Sequence, residues 1–408
     1  MARFLLSIAI AMFVVPAQAQ DRLGDAHQID AYLEHAVRET QIPGVVAMVA
    51  DAHKVLYSAA FGAQDVSRAV PMRTDSIFRL ASMTKPVTSV AVMMLVEAGK
   101  LRLDDPAGKY LPAFEHSQVF ETFHASDKTY TSRPAKSPVT IRNLLTHTSG
   151  LGYSFDNPIL AQLLGDDPAK SAVNLPLLFD PGTKWTYGES TRVLGQIVEK
   201  VSGEPLEQFF REHIFEPLGM QDTFYTVPAS KHDRVVTVHQ TTEHGLVEVP
   251  NPEVITSPAF GDGGLNSTAA DYVKFMQMFL NHGRAPNGKR LLSEKTIELM
   301  GSDQIAPLHV ELLPTANPAV SEPFPLGGGR DTFGFGFQVT AKHDAPYEPS
   351  PGSMSWAGIY NTEFWIDPKR GVCAVLLMQY LPFYDNTAIE TLQGFQHYIY
   401  RGLALAKK

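Results

Sequence analysis

Ser82-Met83-Thr84-Lys85 is the one Ser-x-x-Lys tetrapeptide in the chain, and it sets a hydroxyl beside an amine. On a helix, residues i and i+3 share a face, so the Lys85 amine can reach the Ser82 hydroxyl. A serine hydroxyl is a weak nucleophile at neutral pH. Lysine becomes its base when burial or a neighbouring cation lowers the amine's pKa. A helix start also favours developing negative charge, and the Ser82 N–H is available there as an oxyanion donor. Pro86 suits this place, because its missing N–H costs little in a first turn. Spacing alone does not separate the pair from a capping serine followed by a surface lysine.

Other chemistries find less support. There is no Gly-x-Ser-x-Gly elbow, no His-Glu-x-x-His and no Cys/His cluster, so neither a metal nor a cofactor is expected. The 14 histidines are scattered, and His147 is expected to brace a loop rather than act as a base. Gly261 to Gly264 lacks the following Lys-Ser or Lys-Thr of a phosphate loop and reads as a tight turn lining a cleft.

The elements that must hold Ser82 follow from periodicity. Val87, Val90, Ala91, Met94, Leu95 and Ala98 lie on one face of a helix that Gly99 stops. Val193 to Val201 repeats the pattern before Ser202-Gly203, and Asp271 to Leu280 is a third helix. A helix near Ile29 to Glu39 precedes a hairpin of strands Val45–Ala50 and Val55–Phe61. Near the other end, Phe333, Phe335, Phe337 and Val339 alternate as a strand does. Thr362–Ile366 and Val372–Met378 are further strands, and a helix through Ile389, Leu392 and Ile399 closes the chain. Glu115 to Ser137 and Gly301 to Arg330 read as loops. An isolated hairpin is marginal, so the terminal strands pair into one sheet. The predicted fold is α+β: an antiparallel sheet from both chain ends, flanked by helices, with a mainly helical insert. The sheet domain takes about 20–62 and 331–408, and the insert about 63–330.

Of 408 residues, 44% are hydrophobic and 19% charged, an ordinary globular balance. The net charge of -9 argues against nucleic acid as partner. Arg3, the apolar stretch Phe4 to Val15, and Ala17-Gln18-Ala19 read as a signal peptide over 1–19. Export follows, to the periplasm of a Gram-negative cell or to the medium, with an uncleaved anchor as the alternative. No second apolar span follows in the sequence. Cys373 is the sole cysteine, so no intrachain disulfide forms, and its apolar surroundings make it a buried strand residue.

Several segments in order carry a family resemblance. Phe78-Arg79-Leu80-Ala81-Ser82-Met83-Thr84-Lys85-Pro86 is followed by Glu97-Ala98-Gly99-Lys100-Leu101 and Leu103-Asp104-Asp105-Pro106. Then come Ile141 to Leu151, Pro181-Gly182-Thr183-Lys184-Trp185-Thr186-Tyr187 and Gly261 to Asp271. Together they resemble the serine β-lactamase and penicillin-recognising hydrolases, and within these the class C-like family VIII carboxylesterases. The resemblance implies that Tyr187 relays protons between Ser82, Lys85 and the leaving group. It implies that Trp356-Ala357-Gly358 stands for the family's Lys-Thr-Gly edge strand, with the second oxyanion N–H on Ile359. Gly358 then lets the backbone approach the substrate.

The chain departs from the family twice. Glu189 replaces the asparagine of Tyr-x-Asn, and a carboxylate cannot donate that residue's hydrogen bonds unless protonated. Glu189 either pairs with a lysine, Lys85 included, or is a solvated acid at a helix start. Trp356 replaces the lysine that meets a β-lactam carboxylate. Both changes disfavour an anion and favour a neutral acyl ester. The expected function is ester hydrolysis through an acyl-enzyme on Ser82, with a small-molecule acyl substrate. Alternatives are a β-lactamase or D-peptidase, an acyl transferase, and a non-catalytic scaffold. The oligomeric state is open.

Overall fold

Val45 to Ala50 is apolar at every position because its strand is buried on both faces. The computed structural model describes residues 23–165, 167, 170–343 and 346–405. The signal-peptide reading of 1–19 lies outside the described residues. In strand β1 (Gly44–Asp51), Val45, Ala47 and Val49 enter one core, while Val46 and Ala50 enter the other. The strand pairs antiparallel with β2 (Val55–Asp65), and Asp51 closes the turn by accepting the His53 and Lys54 N–H groups, each at 2.8 Å. Its other neighbour comes from the far end of the chain: β8 (Val372–Leu377), in register Val46↔Leu377 to Asp51↔Val372.

The sheet has eight strands. To the three strands above are added β3 (Val70–Pro71), β4 (Thr332–Phe333), β5 (Gln338–Val339), β6 (Met354–Gly358) and β7 (Thr362–Asp367). Their spatial order is β4-β5-β6-β7-β8-β1-β2-β3, antiparallel throughout. Two helices, α1 (Ala26–Glu39) and α5 (Asn386–Leu405), cover one face, where Ile29, Leu33, Phe395 and Ile399 meet Val49, Trp365 and Leu376. The opposite face carries the larger core. There α2 (Thr84–Glu97), α3 (Ser190–Ser202) and α4 (Ala269–Leu280) pack, with Tyr272 against Phe364 and Phe279 against Phe337. This is the expected antiparallel sheet built from both chain ends and flanked by helices. Among the described residues, no helix is long and apolar enough to cross a membrane. Cys373 is buried in β8.

Two expectations are corrected. Phe333 to Val339 is not one strand but a hairpin, with Thr332 opposite Val339 and Phe333 opposite Gln338. Its turn bonds elsewhere: the Phe335 N–H reaches the Met300 carbonyl at 3.0 Å, and the Gly336 N–H reaches that of Leu145 at 3.2 Å. Gly336 has φ +92°, which ends the extended run although all three phenylalanines stay buried. Glu115 to Ser137 is not a loop. It holds a hairpin of Gln118–His124 and Thr129–Pro134, and the exposure of most of its residues removes the apolar alternation that marks a half-buried strand.

Gly358 fixes how closely the sheet approaches the Ser82 segment. A Cβ there would lie 2.2 Å from the Leu80 carbonyl oxygen and 2.3 Å from Thr362 Oγ1. The missing side chain therefore makes room for protein backbone, which replaces the expectation that it makes room for substrate. Gly358→Ala should lower the unfolding free energy by roughly 1–3 kcal/mol in urea denaturation. An unchanged midpoint would show that β6 yields without cost.

Candidate active site

Ser82 sits in a single 3₁₀ turn, Ala81–Met83, that leads into α2. Ala81 has φ +45°, a left-handed backbone that costs a non-glycine residue roughly 1–3 kcal/mol. Neighbours over-determine it. The Leu80 N–H donates to the Leu265 carbonyl at 2.8 Å, and the Tyr272 hydroxyl donates to that of Met83 at 2.9 Å. The Leu265 N–H in turn donates to Thr84 Oγ1 at 3.3 Å. Pro86 falls in the first helical turn, where a backbone N–H has no intrahelical partner and its absence costs little.

Lys85, one turn on, is 2% exposed. Its Nζ lies 3.0 Å from Ser82 Oγ, 3.0 Å from the Tyr153 hydroxyl and 2.8 Å from the Asp262 carbonyl oxygen. Burial pushes its pKa down to about 7; the charge of Asp262 opposes this, Arg192 adds to it and Glu189 opposes it. A neutral amine has two N–H donors and one lone pair. The ammonium donates to all three oxygens; once deprotonated it keeps two donors for Tyr153 and the Asp262 carbonyl, and its lone pair can take the Ser82 O–H. Tyr153 donates its own O–H to Asp262 Oδ2 at 2.6 Å.

Tyr187 closes the other side. It precedes α3, and its loop is tied by the Thr186 N–H to the His147 carbonyl at 3.0 Å. The Tyr187 ring centroid is 4.6 Å from Lys85 Nζ. Burial pushes the phenol's pKa up, so it holds its proton, while contacts from Ser82 and Trp356 oppose the rise. Trp356 Nε1 donates to the Tyr187 oxygen at 3.3 Å. His147 packs against Tyr187, Trp356 and Phe333, and burial, then the Lys85 charge, push its pKa down. Burial thus disfavours the charged ring within this aromatic cluster.

Glu189 is the clear correction. It pairs neither with Lys85 nor with solvent. Arg192 Nη1 reaches its Oε1 at 3.2 Å, while the Ser171 hydroxyl and the Val173 N–H occupy its Oε2. Arg192 Nε also reaches Asp262 Oδ1 at 3.2 Å. The two acids and the arginine form one chain behind Lys85, so the Glu189 carboxylate is taken up by protein partners and adds no bare negative charge to the cleft.

Ser82 and Ile359 line two cavities, of about 530 Å³ and about 350 Å³. Tyr187 and Trp356 line the first; Tyr153, Arg192 and Phe260 line the second. Gly358 reaches neither and packs on Leu80 instead. Sequence reasoning missed Tyr153, Asp262 and Arg192. The i, i+3 spacing of Glu189 and Arg192 was the one available signal; nothing local marks Tyr153.

The Beta-lactamase family model matches residues 29–395, and the chain belongs to that family. Protein Rv1367c of Mycobacterium tuberculosis is 35% identical over 370 residues, covering 86% of this chain and 90% of the relative. Monacolin J acid methylbutanoyltransferase of Aspergillus terreus is 29% identical over 393 residues, 90% of this chain and 93% of the relative. Esterase EstB of Burkholderia gladioli is 29% identical over 395 residues, 90% and 92% respectively. Among solved structures, simvastatin synthase from Aspergillus terreus superposes with a TM-score of 0.80 at 27% identity, over 94% of this chain and 96% of that one.

The Arg192 chain makes a directional prediction for the pH at which Lys85 titrates. Arg192→Met leaves two acids beside the amine, so the acidic midpoint of kcat/KM should rise by roughly one pH unit. Glu189→Gln should move it the opposite way. Midpoints that stay at the wild-type value in both variants would disconnect these residues from Lys85.

Proposed function

We propose that this Beta-lactamase family member hydrolyses carboxylic esters through an acyl-enzyme on Ser82. The observation that carries the reading is the 3.0 Å contact between Ser82 Oγ and the amine of Lys85, whose burial pushes its pKa down to about 7. Burying a lysine is costly, and a passive scaffold has no use for it. In this reading Lys85 takes the Ser82 proton as Oγ attacks the ester carbonyl. The Ser82 and Ile359 N–H groups hold the oxyanion. Tyr187 gives its proton to the departing alkoxide and regains one from Lys85, which restores both residues. Water, activated through the same pair, then releases the acid.

Trp356 supports an ester over a β-lactam. It stands where a cation is needed for the lactam's carboxylate, and its uncharged N–H is turned to Tyr187. Glu189 no longer contributes to that argument, since Arg192 neutralises it. Two cavities meeting at Ser82 suit a substrate with an acyl arm and an alcohol arm. The same arrangement accepts an alcohol in place of water. That second reading, acyl transfer, is supported by the sequence similarity to the Aspergillus terreus methylbutanoyltransferase. The leader-like composition of residues 1–19 supports export as part of this proposal.

Hydrolysis of a short-chain nitrophenyl ester tests it. Ser82→Ala should lose at least about 10³-fold in kcat, and Tyr187→Phe about 10²–10⁴-fold. Lys85 acts unprotonated, so kcat/KM should fall about tenfold for each pH unit below about 7 and level off above it. Full activity in Ser82→Ala would overturn the mechanism. A cephalosporin with a higher kcat/KM than the ester would overturn the substrate class. Added alcohol that diverts the acyl group from acid to new ester would establish transfer.

A further inference from the structure

Glu363 is a largely buried acid whose carboxyl lines a cavity with no hydrogen-bond partner among the described residues. It lies in β7, between Ala357 of β6 and Leu376 of β8, and is 6% exposed. Among the described residues, no hydrogen bond or ion pair reaches it. Its neighbours in the strand, Thr362 and Phe364, face the Ser82 side, where Thr362 Oγ1 meets the Leu80 carbonyl and Phe364 joins the larger core. Glu363 therefore points the other way with Trp365, into the layer between the sheet and α5.

The 530 Å³ cavity connects the two sides. It begins at Ser82, Tyr187 and Trp356 and continues to Glu363, Trp365 and Leu392. The passage follows from strand pairing. β5 bonds β6 only at Met354 and Ser355, so Trp356 to Gly358 present an edge with no further strand beside it. Another acid lining the cavity is satisfied: Asp331 takes Arg330 Nε at 2.9 Å and Gln338 Nε2 at 2.8 Å. Glu363 has no such relief, and burial pushes its pKa well above the ordinary carboxylate range. Burial thus favours the protonated acid, which has one O–H to donate. The carboxyl lines the cavity with no protein partner, so its O–H is open to a ligand oxygen.

We propose that the part of this cavity beyond the open edge of β6 is the acyl-chain subsite, and that Glu363 selects acyl groups bearing a hydrogen-bond-accepting oxygen along the chain. This rests on the acyl-enzyme reading of Ser82. The acyl group reaches the inner layer past Trp356, and the alcohol arm uses the second cavity. The volume is ample, within the roughly 300–1,000 Å³ of pockets that enclose a whole small ligand.

The test compares nitrophenyl esters of keto- or alkoxy-substituted acids with alkyl esters of equal length, over a series of short to medium chains. Wild type should favour the oxygenated chain by about tenfold in kcat/KM at the length that reaches Glu363. Glu363→Gln keeps a donor and should keep most of that preference. Glu363→Leu should abolish it and improve the plain alkyl ester. Acetyl ester hydrolysis, which does not reach the inner layer, should survive in both variants and reports that they fold. Equal preference in wild type and Glu363→Leu, or a preference that follows the alcohol rather than the acyl group, overturns the proposal. Loss of the Ser82 reading is seen separately, as acetyl ester turnover that persists in Ser82→Ala. Binding of the matching amides, followed by the fluorescence of the lining Trp356 and Trp365, reads the same preference without turnover.

Discussion

An amine that is 2% exposed and still able to lose its charge near neutrality is the constraint around which this site is built. Burial alone would make Lys85 a poor cation and a weakly anchored side chain. The fold answers with three hydrogen-bonding partners from three distant stretches: Ser82, Tyr153 and the Asp262 carbonyl. Behind them, Arg192 divides its charge between Glu189 and Asp262. Two acids close to the amine would otherwise keep it protonated. The arginine restores the balance, which is why the buried pairings and the amine's acidity are one problem.

The same economy governs the nucleophile. Ala81 accepts a left-handed backbone because Leu80, Met83 and Thr84 are each held from another element. Gly358 lets β6 press on Leu80, and Trp356, two residues earlier, hands its N–H to Tyr187. One short strand thus positions both the serine segment and the phenol. Replacing a lysine of the family pattern with tryptophan exchanges a charge directed at substrate for a hydrogen bond directed at Tyr187. The aromatic cluster of His147, Tyr187, Phe333 and Trp356 makes that exchange structural as well as chemical.

Much of the fold was legible because its elements carry one strong period each. The faces of α2 and α3, the doubly buried β1 and the Asp367 turn before β8 are all local patterns. The hairpin at Gln118–Pro134 was not, because a strand pair that buries little has no apolar stripe to show. The Phe333–Val339 alternation misled for the opposite reason. Its aromatics are buried, but in a turn whose backbone bonds to loops around Met300 and Leu145.

At the site, the sequence by itself determined the chemical types: a serine with a lysine one turn on, a tyrosine before a helix, and a tryptophan in place of a family lysine. The first is a property of helical spacing; the other two follow from the resemblance to the family's ordered motifs. It could not determine which charges meet. Glu189 looked like a cleft acid and proved to be Arg192's partner, while Tyr153 and Asp262, which touch Lys85 directly, had no local signature. Nor did it show that the cavity passes the edge of β6 to a carboxyl on the far side of the sheet. Those are contacts between segments far apart in the chain. Burial and pairing set the charge state of an acid or an amine, and only the tertiary structure decides them.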